Sequence, residues 1–177
     1  MIFKVLLLGA CLTGDTFYLS NKFLVQNRIE TFVIGQPTRK AEWLEPPSIR
    51  ICAETRIPPY RVSRALAYWK ILGYEFGPIT VDDSLLCRGP SRGEIVFMLP
   101  TSGFDTSKLA STSLYTHIKE KHIVMAKINI TPRSAKKERV IEHEIGHALG
   151  WNHYNQKFHI MNSNWMYGGY DSKGLRK

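Results

Sequence analysis

The sequence is short of cysteine, of acidic residues and of long apolar runs. Its three cysteines, Cys11, Cys52 and Cys87, are an odd set, so at least one is unpaired or modified. None stands at zinc-site spacing. A Cys52–Cys87 disulfide suits an oxidising compartment; three buried or idle thiols are the other reading. No run of about 18 apolar residues occurs, so no transmembrane helix is expected. Acidic residues number 15 against 24 basic ones, a formal net charge of +9. A surface of that sign suits nucleic acid, anionic polymers or acidic substrates, or is simply a solvated lysine-rich face. The basic residues are scattered and no nucleic-acid recognition motif is present, so no specific nucleic-acid partner is expected. The rest is ordinary: 177 residues, 44% of them apolar, fit one domain with a sizeable core.

The informative stretch runs from His143 to Met161 and reads HEIGHALGWNHYNQKFHIM. On a helix, His143 and His147 lie four residues apart, so both imidazoles leave one face and can hold one ion. Gly150 falls where the helix should stop, since glycine enters the left-handed region cheaply. The chain can then turn back and bring His153 to the same ion. Three neutral nitrogens with a fourth position open is the pattern of a catalytic zinc; a structural zinc is closed by a fourth protein ligand. Glu144 lies beside the ion as a base for water.

These residues form H-E-x-x-H-x-x-G-x-x-H with a methionine, Met161, eight residues after the last histidine. The chain thereby resembles the metzincin zinc metallopeptidases, and their matrixin-like branch most closely. The resemblance implies an α+β catalytic domain: a small mixed, twisted sheet, a backing helix, an active-site helix and a C-terminal subdomain entered through a Met-turn. It implies one zinc on His143, His147 and His153, with Glu144 as general base in peptide-bond hydrolysis and Met161 as the floor of the site. By the same resemblance, substrate lies extended along an edge strand around Ser111, Thr112 and Ser113. Trp165 and Tyr167 are then candidates for lining the pocket past the scissile bond, or for closing a small C-terminal core. The family often carries a pro-segment whose cysteine caps the zinc; no recognisable form of that motif is present. Ser163 stands where some relatives carry a tyrosine ligand, and Tyr154 follows the third histidine where several branches have a polar residue.

In chain order, Met1 to Leu12 reads either as a secretory signal with a lipoprotein-like box at Leu8-Gly9-Ala10-Cys11 or as a buried first strand. The first reading implies secretion or association with an envelope, the second an intracellular or virion location. Residues 1–47 form an N-terminal extension, or a pro-segment, ending at Pro46-Pro47. Residues 48–177 form the peptidase-like domain. Strands are expected at Ile49 to Ala53, Ile79 to Val81, Gly93 to Leu99, Thr112 to Ile118 and His122 to Ile130. Pro58-Pro59 opens a helix whose core stripe is Val62, Ala65, Leu66 and Trp69, ending near Gly73. Asp82 and Asp83 are a candidate for Ca2+, which many matrixins bind, or a solvated turn. Thr131-Pro132 is an N-cap and first-turn pair expected to open the active-site helix. Val140, Ile141, Ile145, Ala148 and Leu149 should pack that helix on the sheet. His117, His122 and His159 are expected outside the site.

Two other functional classes fit the sequence. One is a zinc-binding structural component of a virion or envelope assembly; the other is a basic binding module. Glu144 argues against the first, because a structural zinc has no use for a base. The expected partner of the enzyme reading is a protein or peptide substrate.

Overall fold

The structure, a computed structural model, describes residues 35–84, 87–117 and 119–177. The two readings of Met1 to Leu12, and Cys11 with them, lie outside the described residues. Gln36 to Lys177 form one compact unit. Residues 36–47 therefore fold together with the chain beyond the Pro46-Pro47 pair.

Among the described residues the core is a sheet of six strands: β1 (Glu42–Trp43), β2 (Ser48–Cys52), β3 (Ile79–Asp82), β4 (Glu94–Met98), β5 (Ala110–Thr116) and β6 (His122–Ile130). Its order is β1-β6-β4-β2-β3, with β5 also paired to β6. Among the described strands β5 alone pairs antiparallel, so the sheet is mixed but mostly parallel. Parallel strands have both faces covered and read as apolar runs, which is the character of Ile95-Val96-Phe97 on β4, all fully buried. β6 alternates instead: Ala126, Ile128 and Ile130 are fully buried while Lys127 and Asn129 face outward. β5 pairs only with β6 among the described residues and leaves one edge free.

Among the described residues three α-helices accompany the sheet: α1 (Pro59–Ile71), a single turn α2 (Pro132–Ala135) and α3 (Val140–Ala148). α1 follows the expected stripe, with Val62, Ala65, Leu66 and Trp69 buried. A buried ion pair ties it to α3: both guanidinium NH groups of Arg61 donate to Glu142 at 2.8 Å, and Trp69 Nε1–H donates to the Glu142 carbonyl. No described helix is long and apolar enough to cross a membrane.

The expectation for Thr131-Pro132 needs correcting. Thr131 does cap a helix, accepting from Ser134 N–H, but that helix is α2 and it ends after one turn. The site helix α3 starts afresh after Arg139, whose φ of 68° breaks the helical path. Lys136, Lys137, Glu138 and Arg139 offer no apolar side chain to hold a continuous helix on the sheet. Val140, Ile141, Ile145, Ala148 and Leu149 are all buried.

Cys52 and Cys87 form a disulfide, with Cα atoms 5.7 Å apart. Asp82 gives one carboxylate oxygen to Arg50 at 2.8 Å and the other to the N–H and O–H of Ser84.

Candidate metal centre

α3 supplies His143, Glu144 and His147, and its end is built to return the chain. Gly150 has φ +99°; its N–H donates to His147 O, and Trp151 N–H donates to Gly146 O. This is the paired 5→2 and 6→1 bonding of a Schellman cap. A side chain at Gly150 would also strike the Ala41 carbonyl, so glycine is required twice over.

Residues 38–43 then fasten the returning loop. Trp43 Nε1–H donates to Ala148 O, Arg39 Nε–H to Leu149 O and Lys40 N–H to Gly150 O. The last carbonyls of a helix lack internal partners, and here a distant segment satisfies two of them and the Gly150 carbonyl just beyond. Asn152 is held on Thr38 through both its backbone and its side chain. His153 comes next on this clamped loop. The segment carries no motif of its own, and its place in the site had no signal in the sequence.

The histidines converge. Ligand nitrogens of His143, His147 and His153 lie within 4.8 Å of one another and could hold a metal ion. His143 Nδ1–H donates to Ile160 O and His147 Nδ1–H to Trp151 O, both at 2.7 Å. A carbonyl only accepts, so these bonds place the protons on Nδ1 and leave the Nε2 lone pairs facing the centre. His147 Nε2 and His153 Nε2 approach to 3.0 Å. Nitrogens at about 2.0–2.1 Å from a tetrahedral ion stand roughly 3.3 Å apart, so the three residues fit a shared ion with small adjustment.

Burial sets the protonation. It pushes His143 down to about 4 and His147 down to about 3, and it lowers His153, helped there by Lys40 and Lys108. The imidazoles are thus neutral at physiological pH, the form that binds metal. Glu144 shifts the opposite way. Only 6% exposed, its carboxyl is raised to about 7 by burial, against the opposing bond from Thr112. Thr112 Oγ1–H donates to Glu144 Oε2 at 2.6 Å.

Met161 is fully buried and packs under α3. A Cβ on Gly146 would meet its sulfur and the Trp69 ring, so the helix face and the methionine are in direct contact. His159, expected outside the site, is fully buried behind this turn. Its Nδ1 accepts from Met161 N–H and its Nε2–H donates to Lys173 O. It is a core histidine that fixes the turn and adds no donor to the centre.

Two cavities meet at Glu144 and His153. The first, ≈ 520 Å³, is walled by Leu109, Val140, Ile160 and Trp165. Trp165 is held there by its Nε1–H bond to Glu138 O and by the cations of Lys137 and Arg139 over its ring. Tyr167 lies outside this cavity, lining a separate depression. The second, ≈ 570 Å³, runs along β5 past Ser111, Thr112 and Leu114 toward His117. Ser113 is exposed and lines neither. No family model matches the chain, and no curated protein matches it.

Proposed function

We propose that this protein is a zinc-dependent endopeptidase of the metzincin type, nearest the matrixin-like branch. The observation that carries the reading is the pairing of a three-imidazole centre with one buried carboxylate. His143 and His147 present unprotonated Nε2 atoms. The carboxylate is not among the converging ligands, and burial tunes it to about 7. A general base works best with a pKa near the operating pH. Zn2+ held by three imidazoles polarises a carbonyl and acidifies water.

The residues then divide the remaining work. Glu144 takes the proton of the attacking water and hands it to the leaving amine nitrogen. Thr112 occupies Glu144 Oε2, which leaves Oε1 as the atom that moves the proton. Peptide lies extended along the free edge of β5, where main-chain hydrogen bonds add it as a further strand. The residue past the scissile bond enters the cavity at Trp165, whose Leu109, Val140 and Ile160 walls favour an apolar side chain. Met161 and His159 support the loop beneath the centre. A role as a structural zinc protein would give Glu144 no use, and a carboxylate buried at that cost without one is disfavoured.

The test is to load metal-free protein with Zn2+ and expose it to quenched fluorogenic peptides of mixed sequence. Cleavage should appear with Zn2+, disappear with phenanthroline and return on adding Zn2+ back. Zn2+-loaded protein that cleaves no peptide or unfolded protein would overturn the reading.

A further inference from the structure

We propose that His117, Glu120 and His122 form a second metal site, at the tip of the β5–β6 hairpin, for a divalent cation of the Zn2+ class. The hairpin brings the two histidines side by side. His117 N–H donates to His122 O at 2.8 Å, Lys121 N–H donates to His117 O at 3.1 Å, and Lys121 closes the turn with φ 52°. The imidazole rings end with centroids 5.2 Å apart and planes 3° from parallel. His122 is only 5% exposed.

Both Nδ1 atoms are buried and neither has a hydrogen-bond partner. Yet the Glu120 carboxylate is close: Oε2 lies 3.2 Å from His122 Nδ1 and 3.8 Å from His117 Nδ1. The oxygen lies off the hydrogen-bonding axis of His122 Nδ1 and beyond hydrogen-bond distance of His117 Nδ1, and the three atoms lie within 4.8 Å of one another. Leaving a buried polar atom without a partner is unfavourable, so two in one place call for an occupant. A cation among the three atoms satisfies both nitrogens at once. Donors at about 2.0–2.2 Å from a tetrahedral ion stand roughly 3.3–3.6 Å apart, close to the spacing seen.

The donor set selects the ion. Two imidazole nitrogens and one carboxylate oxygen suit Zn2+ and its first-row neighbours, whereas Ca2+ and Mg2+ prefer oxygen. None of these ligands belongs to the His143 centre. His117 and Lys121 do line the far end of the cavity that reaches His147 and Glu144. An ion here would staple the end of β5, the strand whose free edge borders that cavity.

The experiment counts Zn2+ bound per untagged chain after stripping and reloading. Reductant is omitted, so that Cys52–Cys87 stays bridged and offers no thiolates. Wild type should hold two. Glu120→Ala and His117→Ala should each hold one with unchanged circular dichroism, and both replace exposed residues. His143→Ala should also hold one, and His143→Ala combined with Glu120→Ala none. A wild type with one Zn2+ that Glu120→Ala retains overturns the site, as do two Zn2+ that survive both hairpin variants. One Zn2+ that is lost in Glu120→Ala but kept in His143→Ala would leave the hairpin site standing and remove the proposed catalytic centre. No Zn2+ at all would remove both.

Discussion

Thr112→Val separates the base from the metal. Thr112 donates its hydroxyl hydrogen to Glu144 Oε2 at 2.6 Å, in a site where the carboxylate is 6% exposed. That bond favours the ionised carboxylate, while burial favours the neutral one and wins, holding the group at about 7. Valine keeps the shape and removes the donor. A hydrogen bond to a charged group is worth about 1.5–3 kcal/mol. At 1.36 kcal/mol per pH unit, its loss raises Glu144 by roughly one to two units. Glu144 acts as base only when ionised, so hydrolysis falls as pH drops through its pKa. The acid limb of kcat/KM should therefore move to higher pH by about the same amount, with activity on that limb down roughly 10- to 100-fold. A nearby cation lowers Glu144 in both proteins, so the difference persists. Thr112→Ser keeps the hydroxyl and should keep the wild-type limb, and metal content should be unchanged in both variants. An acid limb that stays put in Thr112→Val, or moves equally in Thr112→Ser, would refute the role given to this bond.

Met161→Ala should leave the metal count as in wild type and cost about 2–5 kcal/mol, because the side chain is fully buried. That corresponds to roughly 5–20 °C in melting temperature, and an unchanged value would contradict the packing described. His153→Ala should lose metal from the centre, whereas His159→Ala should keep it and lose stability, since Met161 N–H loses its acceptor; equal metal loss would break the ligand assignment. In metal-free protein, His143, His147 and His153 sit below their ordinary 6.5, so the stability they contribute is present above pH 6.5 and lost as pH falls toward the folded values. Glu144 is raised and acts in reverse, costing stability as pH rises from about 4.5 to 7. Three histidines outweigh one carboxyl, so the urea midpoint of chelated protein should be lower at pH 5 than at pH 7.5.

The parts of the fold that were legible are those set by local chemistry. Val62, Ala65, Leu66 and Trp69 recur at helical spacing, and their helix appears between the expected proline and glycine. The turn at Gly150 follows from one residue's tolerance of positive φ. The histidine triad was legible for the same reason, since i and i+4 spacing on one helix is a local fact. The hidden parts are long-range. Trp43 and Arg39 cap carbonyls about a hundred residues away, and nothing in Arg39-Lys40-Ala41-Glu42-Trp43 announces that partner. Thr112 stood out as a strand residue beside substrate, but its bond to Glu144 depends on how β5 meets α3. The break at Arg139 was missed because capping signals at Thr131 were sound and the helix they start simply ends. His117 and His122 were expected outside the site, and the contact between their rings depends on the register of the hairpin.

The most direct measurement compares Glu144→Gln with wild type for Zn2+ content, melting temperature and peptide hydrolysis in one preparation. Glu144 lies beside the centre without joining its ligands, so Gln should keep the Zn2+ count. It should keep the fold too, because Gln removes a buried acid without changing its size. Hydrolysis should fall by at least about 10²–10⁴-fold, the contribution of a positioned base. Hydrolysis at the wild-type rate, or loss of one Zn2+ per chain, would contradict the assignment of Glu144 as the base of a three-histidine peptidase.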